Sequence, residues 1–305
     1  MNIPTHRSTS LSDVLNHWHA HAERYYRRRD GSHTREHQNY RAVLDRFEAF
    51  AGPAGEASKI NRHQVRAWLD QLAAEKLTRG YINACLRKLR TVVRWCADHE
   101  LVPVHVVADL SLVRSLQAFR SPAIEAQPVP AVSAENVAAI VPFLPRWARD
   151  VVQLLMLTAA RPGEILAAKS GEIHLEPRPM LVPIQHKNAH RGHPRVIPLN
   201  EKAMMIVERT WRPFLPTSLL FPSARTGKPM SNTTLGAAID RAAKRAGVPT
   251  FNPNQIRHTS AQRIRKACGL DAAAALLGHK HVSTTEIYAP TTNNDQARLA
   301  AEVLQ

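Results

Sequence analysis

The sequence predicts a mainly α protein in two domains, with a small antiparallel β-sheet confined to the second (an α+β chain). Three observations predict it. Apolar residues recur every three or four positions through most of residues 10–118. A charge-poor stretch with three prolines, FRSPAIEAQPVPAV at 119–132, then interrupts the periodicity and reads as an extended interdomain linker. Residues 173–199 change to β-like runs, IHLEPRPMLVPI and PRVIPL, on either side of the basic turn QHKNAHRGH, as in an antiparallel hairpin.

In the first domain, 10–118, Ser10 or Ser12 can cap a helix reaching Arg29, and His33–Phe50 continues with Tyr40, Val43, Leu44, Phe47 and Phe50 at helical spacing. Gly52, Pro53 and Gly55 break the pattern. Asn61 opens a third helix with Val65, Trp68, Leu69 and Leu72 on one face, and Thr78 caps a fourth carrying Ile82, Leu86, Leu89, Val93 and Cys96. The opposite face of the fourth helix bears Arg79, Arg87, Lys88, Arg90 and Arg94. A charge run is ordinarily a solvated face, but no acid balances this one locally, which favours contact with DNA phosphates. His17, His19 and His21 alternate, and the pair at 17 and 21 has helical i,i+4 spacing; no carboxylate or cysteine completes a ligand set, so no metal site is expected. Cys85 and Cys96 fall on the apolar side and read as core residues.

The second domain, 133–290, begins with Ser133 as a helix cap. Trp147–Thr158 is a strongly apolar, central helix that runs into TAARPGEIL. Pro162 favours a new helix start with Glu164 at its third position, which holds Arg161 at a sharp junction. Arg161 there could face a cleft or cap the carbonyls of the preceding helix. Lys187 lies at the edge of the hairpin, and Arg191 and Arg195 are candidate phosphate contacts. Residues 200–212 and 231–246 read as amphipathic helices, and 291–305 as a polar tether followed by a short apolar helix, ARLAAEVL.

Charge narrows the class of partner. The net charge is +16, large for a chain with 22% charged residues. Such a surplus implies a polyanion, and nucleic acid rather than membrane. No apolar run is long enough to span a bilayer, and MNIPTHRSTS carries no hydrophobic signal segment. Three cysteines without C-x-x-C spacing fit a reducing compartment and no structural zinc. A soluble, cytoplasmic, nucleoid-associated protein is the expectation.

The chemistry concentrates in 251–290, FNPNQIRHTSAQRIRKACGLDAAAALLGHKHVSTTEIYAP. Asn252 reads as an N-cap with Pro253 first and Gln255 third in the helix; Asp271 can open a second helix that stops at Gly278, and Ser283 with Glu286 a third that carries Tyr288. Arg257, His258, His279 and Tyr288 are thereby carried toward one region. A guanidinium binds phosphate bidentately, an imidazole moves protons near neutrality, and a phenol can be a nucleophile. Together they point to chemistry on a phosphodiester.

These residues resemble the tyrosine recombinases, the phage-integrase group of site-specific DNA recombinases, over nearly the whole chain. SKINRHQVRAWLDQL and TRGYINACLRKLRTVVRWCADHELVP look like the family's helical core-binding (SAM-like) domain, and 133–290 like its catalytic domain, so a two-domain DNA clamp is implied. TAARPGEIL matches the first arginine box, giving Arg161 with Glu164 in support; the hairpin lysine matches Lys187; NQIRH matches the H-x-x-R-H box, giving Arg257; and LLGHKHVSTTEIY supplies His279 and the nucleophile Tyr288. One position departs: Asn254 stands where the family usually has His or Lys, with His258 one turn away. The resemblance implies cleavage and rejoining of strands through a 3′-phosphotyrosyl link, with no ATP, metal or other cofactor. Its implied partners are a double-stranded DNA recombination site, further copies in a homotetramer on two sites, and accessory DNA-bending or directionality proteins, with 291–305 docking on a neighbouring protomer. A type IB topoisomerase-like strand transferase and a catalytically weak or inactive DNA-binding relative are the alternatives.

Overall fold

Capping side chains set where the helices begin. The computed structural model describes residues 9–27, 31–186, 189 and 195–278, and the chain divides into two compact units between Pro128 and Val129. In the first unit Ser10 accepts the Asp13 N–H to open α1 (Leu11–Tyr25). The next helix, α2 (Glu36–Ala51), starts later than the expected His33 because Thr34 is engaged as a turn residue. Its N–H donates to the Tyr26 carbonyl and its hydroxyl accepts the Glu36 N–H. The same turn ends α1 at Tyr25, short of the expected Arg29. Asn61 opens α3 (Arg62–Ala74) and Thr78 opens α4 (Arg79–Asp98), both as read from the sequence. α5 (Val104–Ser111) completes the bundle.

Trp68, Phe47, Leu44, Leu69, Ile82, Leu86 and Leu89 fill its core. Cys85 and Cys96 are buried among them, and burial pushes the Cys96 thiol up to about 12, far from a reactive thiolate. Histidine 21 lies against Trp18, Tyr25 and Trp95, an aromatic cluster rather than a ligand set. Among the described residues no group of three or more His, Cys, Asp or Glu side chains could hold a metal.

The basic face of α4 is not unbalanced, as local sequence suggested. The Arg79 Nε donates to both oxygens of Glu125, at 2.7 and 2.9 Å. Lys88 pairs with Glu36 and lies 4.0 Å above the Tyr40 ring centre. Arg90 donates to the carbonyls of Leu110, Ser111 and Val113, closing the open end of α5. Only Arg87 and Arg94 of the five are exposed, one on either side of Thr91.

The expected linker is shorter than 119–132. Ala123 belongs to the first core, Ile124 exchanges backbone hydrogen bonds with Leu77 and Arg79, and Glu125 holds Arg79. At the other end the Pro130 carbonyl accepts from Gln255, and Val132 is buried in the second core.

In the second unit Ser133 caps α6 (Ala134–Ile140), and α7 (Arg146–Thr158) runs through the middle of the core with Val151, Val152, Leu154 and Leu155 buried. The short α8 (Pro162–Leu166) follows. A three-stranded antiparallel sheet comes next, ordered β1 (Ile173–His174), β2 (Met180–Leu181) and β3 (Ile197–Pro198). The run expected as one strand, 173–184, is thus two. Pro177 and Pro179 lack the N–H that a ladder needs, so the chain turns back between them and Ile173 pairs Leu181, which pairs Ile197. Asn200 and Ser231 cap α9 (Glu201–Val207) and α10 (Asn232–Ala246). The last described helix, α11 (Pro253–Leu277), packs along α7. No helix among the described residues is long and apolar enough to cross a membrane.

Candidate catalytic site

Two helix starts, that of α8 after Ala159 and that of α11 at Asn252, build the site. At the first, α7 stops because Ala159 turns left-handed (φ 51°, ψ 22°), leaving its carbonyl outside the helix. Arg161 is extended and N-caps α8, whose first residue is Pro162 and whose third is Glu164. The Glu164 carboxylate reaches back to the Arg161 backbone N–H at 2.9 Å and also accepts from the Arg161 Nη1 at 2.8 Å. Arg161 therefore does not cap the carbonyls of α7. Its side chain is 24% exposed, whereas Glu164 is 3% exposed beneath it.

The second junction uses the capping box foreseen in 252–255. Asn252 accepts the Asn254 N–H, Gln255 accepts the Asn252 N–H, and Pro253 takes the first helical position. One turn on, Arg257 is 1% exposed. Its Nη1 donates to the Ala159 carbonyl at 2.5 Å and its Nη2 to the Leu277 carbonyl at 2.8 Å. One guanidinium thus joins the ends of α7 and α11. Close approach of the two helices is possible because Ser260 and Ala261 are small, and Ser260 donates to a carbonyl of α7, Met156, at 3.1 Å.

α11 breaks where a second helix was expected to begin. Gly269 adopts φ 86°, ψ 177°, a conformation that disfavours any side chain, so the chain resets before Asp271. It ends at Gly278 (φ 65°) in the left-handed conformation expected of a helix stop. Asn254 is exposed on the first turn, and His258 is half-buried. Lys187, Arg191, His279 and Tyr288, the third short helix and the tail 291–305 lie outside the described residues.

Arg195 departs from its expected place among the phosphate contacts. It is 4% exposed, with Nε 3.6 Å from Glu164. Its Nη1 donates to the Leu276 carbonyl at 2.9 Å. The signal was present in the alternation of the PRVIPL strand: Arg195, Ile197 and Leu199 point inward while Val196 and Pro198 are exposed. Burial alone would raise the Glu164 carboxyl, but the Arg195 charge, then the Arg161 N–H and guanidinium, hold it below the usual carboxylate range. Burial lowers the Arg195 guanidinium, which is nonetheless protonated at any working pH. The site is a carboxylate held between two cations, with a third cation fixed to the backbone ends beside it.

The comparisons with known proteins converge on one group. The model of the phage integrase family matches residues 131–295. The chain is 28% identical over 160 residues to the tyrosine recombinase XerD of Pseudomonas putida, a match spanning about half of each protein (50% and 51%). It is 25% identical to XerD of Shewanella oneidensis across 85% of this chain and 86% of the relative. The fold is similar to a lambda integrase dimer bound to a COC′ core site, at TM-score 0.69 and 19% identity, covering 92% of this chain and 95% of that one. It is also similar to the Tn1549 transposon integrase in complex with circular intermediate DNA, at TM-score 0.70 and 16% identity, covering 98% and 100%. With a family match across more than half its length, spanning both arginine junctions and the segment that ends in Tyr288, the chain belongs to the phage integrase family, the tyrosine recombinases.

Proposed function

We propose that this chain is a site-specific DNA recombinase that cuts and rejoins strands through a 3′-phosphotyrosyl intermediate. The observation that carries the reading is the pair of arginines, Arg161 on its buried Glu164 and Arg257 on the ends of α7 and α11, within the segment matched to the family. In this reading Arg161 and Arg257 bind the non-bridging oxygens of the scissile phosphate and offset the charge that develops there. The Tyr288 hydroxyl gives its proton to solvent as its oxygen attacks phosphorus, the bond to the 5′-oxygen breaks, and Lys187 gives that oxygen a proton. His279 hydrogen-bonds the phosphate. A 5′-hydroxyl from a partner strand then attacks the phosphotyrosyl ester and frees Tyr288. One ester replaces another at each step, so the cycle needs neither ATP nor metal. The lambda integrase tetramer bound to a Holliday junction supports four copies on two DNA sites as the working assembly. The test is covalent capture: a nicked duplex carrying the DNA that flanks the gene is expected to give an adduct that survives denaturing electrophoresis. Relaxation of plasmids lacking any such site, with no recombinant product, would instead indicate topoisomerase-like strand transfer.

The first unit supplies DNA affinity in this reading, through side chains that the fold leaves uncommitted. Replacing both Arg87 and Arg94 by Ala should weaken binding and reduce the slope of log affinity against log salt by up to roughly 2, since each neutralised phosphate contributes about 0.9. Arg90→Ala should instead lower the melting temperature and leave the slope unchanged, because its donors cap α5. Titrations at several salt concentrations decide between them, and an unchanged slope in the double variant would remove α4 from the DNA surface.

Asn254 bears on rate. An amide can contact a phosphate oxygen but accepts no proton near neutrality. A free phenol titrates near 10, so wild-type cleavage should rise on the alkaline side of pH 7. Asn254→His should raise single-turnover cleavage near pH 7 by about 10²-fold at most, the lower range for a positioned base. Asn254→Ala should be slower than wild type; an equal rate would show that the position takes no part in the chemistry.

A further inference from the structure

We propose that Arg195 is a positioning residue of the catalytic site, tying the hairpin to the Arg161–Glu164 pair and to the end of α11 so that the three assemble as one unit. The inference rests on the recombinase reading and extends it to a residue that touches no substrate.

The geometry is direct. From the foot of β3 the Arg195 side chain reaches Glu164 through Nε, at 3.6 Å, and the last turn of α11 through Nη1, at 2.9 Å from the Leu276 carbonyl. Its Nη1 also donates to the Val196 carbonyl at 3.0 Å, which holds the guanidinium against its own strand. Arg257 takes the next carbonyl, Leu277, so two arginines hold successive carbonyls immediately before Gly278 and His279. Gly278 passes so closely over Arg195 that a Cβ there would lie 2.7 Å from Nη1 and 3.1 Å from Cδ. Its positive φ of 65° adds a second, independent requirement for glycine. Arg195 therefore sits where three catalytic segments meet: the strand returning from Lys187, the junction that presents Arg161, and the helix end that leads into His279.

Stability alone does not account for an arginine here. The buried Nε and Nη2 make no hydrogen bond to any described residue. Buried ion pairs are costly to desolvate, and replacing a whole pair by apolar side chains of similar volume is often neutral for stability. A cation kept in such a place is the local inconsistency expected of a functional site.

Among the described residues the charged groups that face the Glu164 carboxylate are Arg195, from β3, and Arg161, from the N-terminus of α8. Removing Arg195 removes one of the two cations that hold the carboxyl low. The carboxyl then takes a proton at a higher pH, and neutral Glu164 no longer holds the Arg161 fork as an ion pair.

The experiment compares wild type, Arg195→Met and Arg195→Lys, each full length, on the same nicked duplex. Melting temperature, duplex affinity and single-turnover cleavage from pH 5 to 9 are measured. Arg195→Met is expected to lower the melting temperature by less than Glu164→Ala does, since Glu164 keeps Arg161 as a counter-charge, and to bind duplex equally well. It should cleave at least 10-fold more slowly at saturation, with the acid limb of its rate profile moved toward neutrality. Arg195→Lys should return the limb toward wild type, because the charge is restored, while the rate stays low, because an ammonium cannot span Glu164 and the Leu276 carbonyl as a fork does. Wild-type adduct with an unchanged rate and acid limb in Arg195→Met would overturn the positioning role alone. A rate loss matched by the unfolded fraction would also overturn it. Failure of wild type to form any adduct would sink the recombinase reading, and the positioning role with it.

Discussion

Tyr288→Phe should abolish covalent capture of a nicked duplex while leaving affinity for that duplex within about twofold of wild type. The substitution keeps the ring and removes only the hydroxyl, so in the proposed reading the phosphate still meets Arg161 and Arg257 but no nucleophile. Loss of an obligatory nucleophile has no partial form, and any adduct remaining above background would mean that another residue attacks phosphorus. Tyr25, Tyr26, Tyr40 and Tyr81 make poor substitutes, because all four belong to the first unit. Tyr25 and Tyr81 are the exposed pair, of which Tyr25 stacks on His21, and Tyr26 stacks on Tyr40. Burial and the neighbouring Tyr40 hold the Tyr26 hydroxyl well above its ordinary value, which disfavours the phenolate.

The second large effect is on stability. Glu164→Ala leaves Arg195 buried beside a missing counter-charge, and removing one partner of a buried pair costs about 3–5 kcal/mol. For a unit of this size that corresponds to a fall of roughly 10 °C in melting temperature. The loss should depend on pH in a defined direction. The carboxyl of Glu164 is lowered on folding, so the stability it contributes is complete above the unfolded carboxylate range. That contribution disappears as pH falls through the lowered folded value. The melting temperatures of wild type and Glu164→Gln should therefore converge as the solution is made strongly acidic and diverge toward neutrality. A constant difference across that range would mean that Glu164 is not ionised in the folded protein.

What could be read from the sequence follows the range of the forces involved. Helix caps are decided within four residues, and Ser10, Asn61, Thr78, Ser133 and Asn252 all open helices where their hydrogen-bonding chemistry says they should. The Arg161–Glu164 couple is local too, three residues apart around a proline. Charge balance on α4 is not local: Glu36 is 52 positions from Lys88, and Glu125 is 46 from Arg79. A reading limited to neighbours therefore left the helix looking uncompensated. The partners of Arg257 at Ala159 and Leu277, 98 and 20 residues away, were hidden for the same reason. Arg195 is a different case. The period-two alternation that buries it is present in the sequence, but a basic residue beside a basic turn predicts a surface contact, and register overrides charge here.

The arginines at the ends of α7 and α11 also reverse an electrostatic sign. A helix presents about half a negative charge at its C-terminus, which would repel a DNA backbone approaching the segment after Gly278. Here the terminal carbonyls of Ala159, Leu276 and Leu277 each accept from a guanidinium. With Arg161 alongside, the cluster holds three cations to one carboxylate, Glu164, which pairs with Arg161 and Arg195. Two helix ends that should be anion-repelling are thereby turned electropositive, and in the recombinase reading a polyanion drawn there meets guanidinium groups already held by backbone carbonyls.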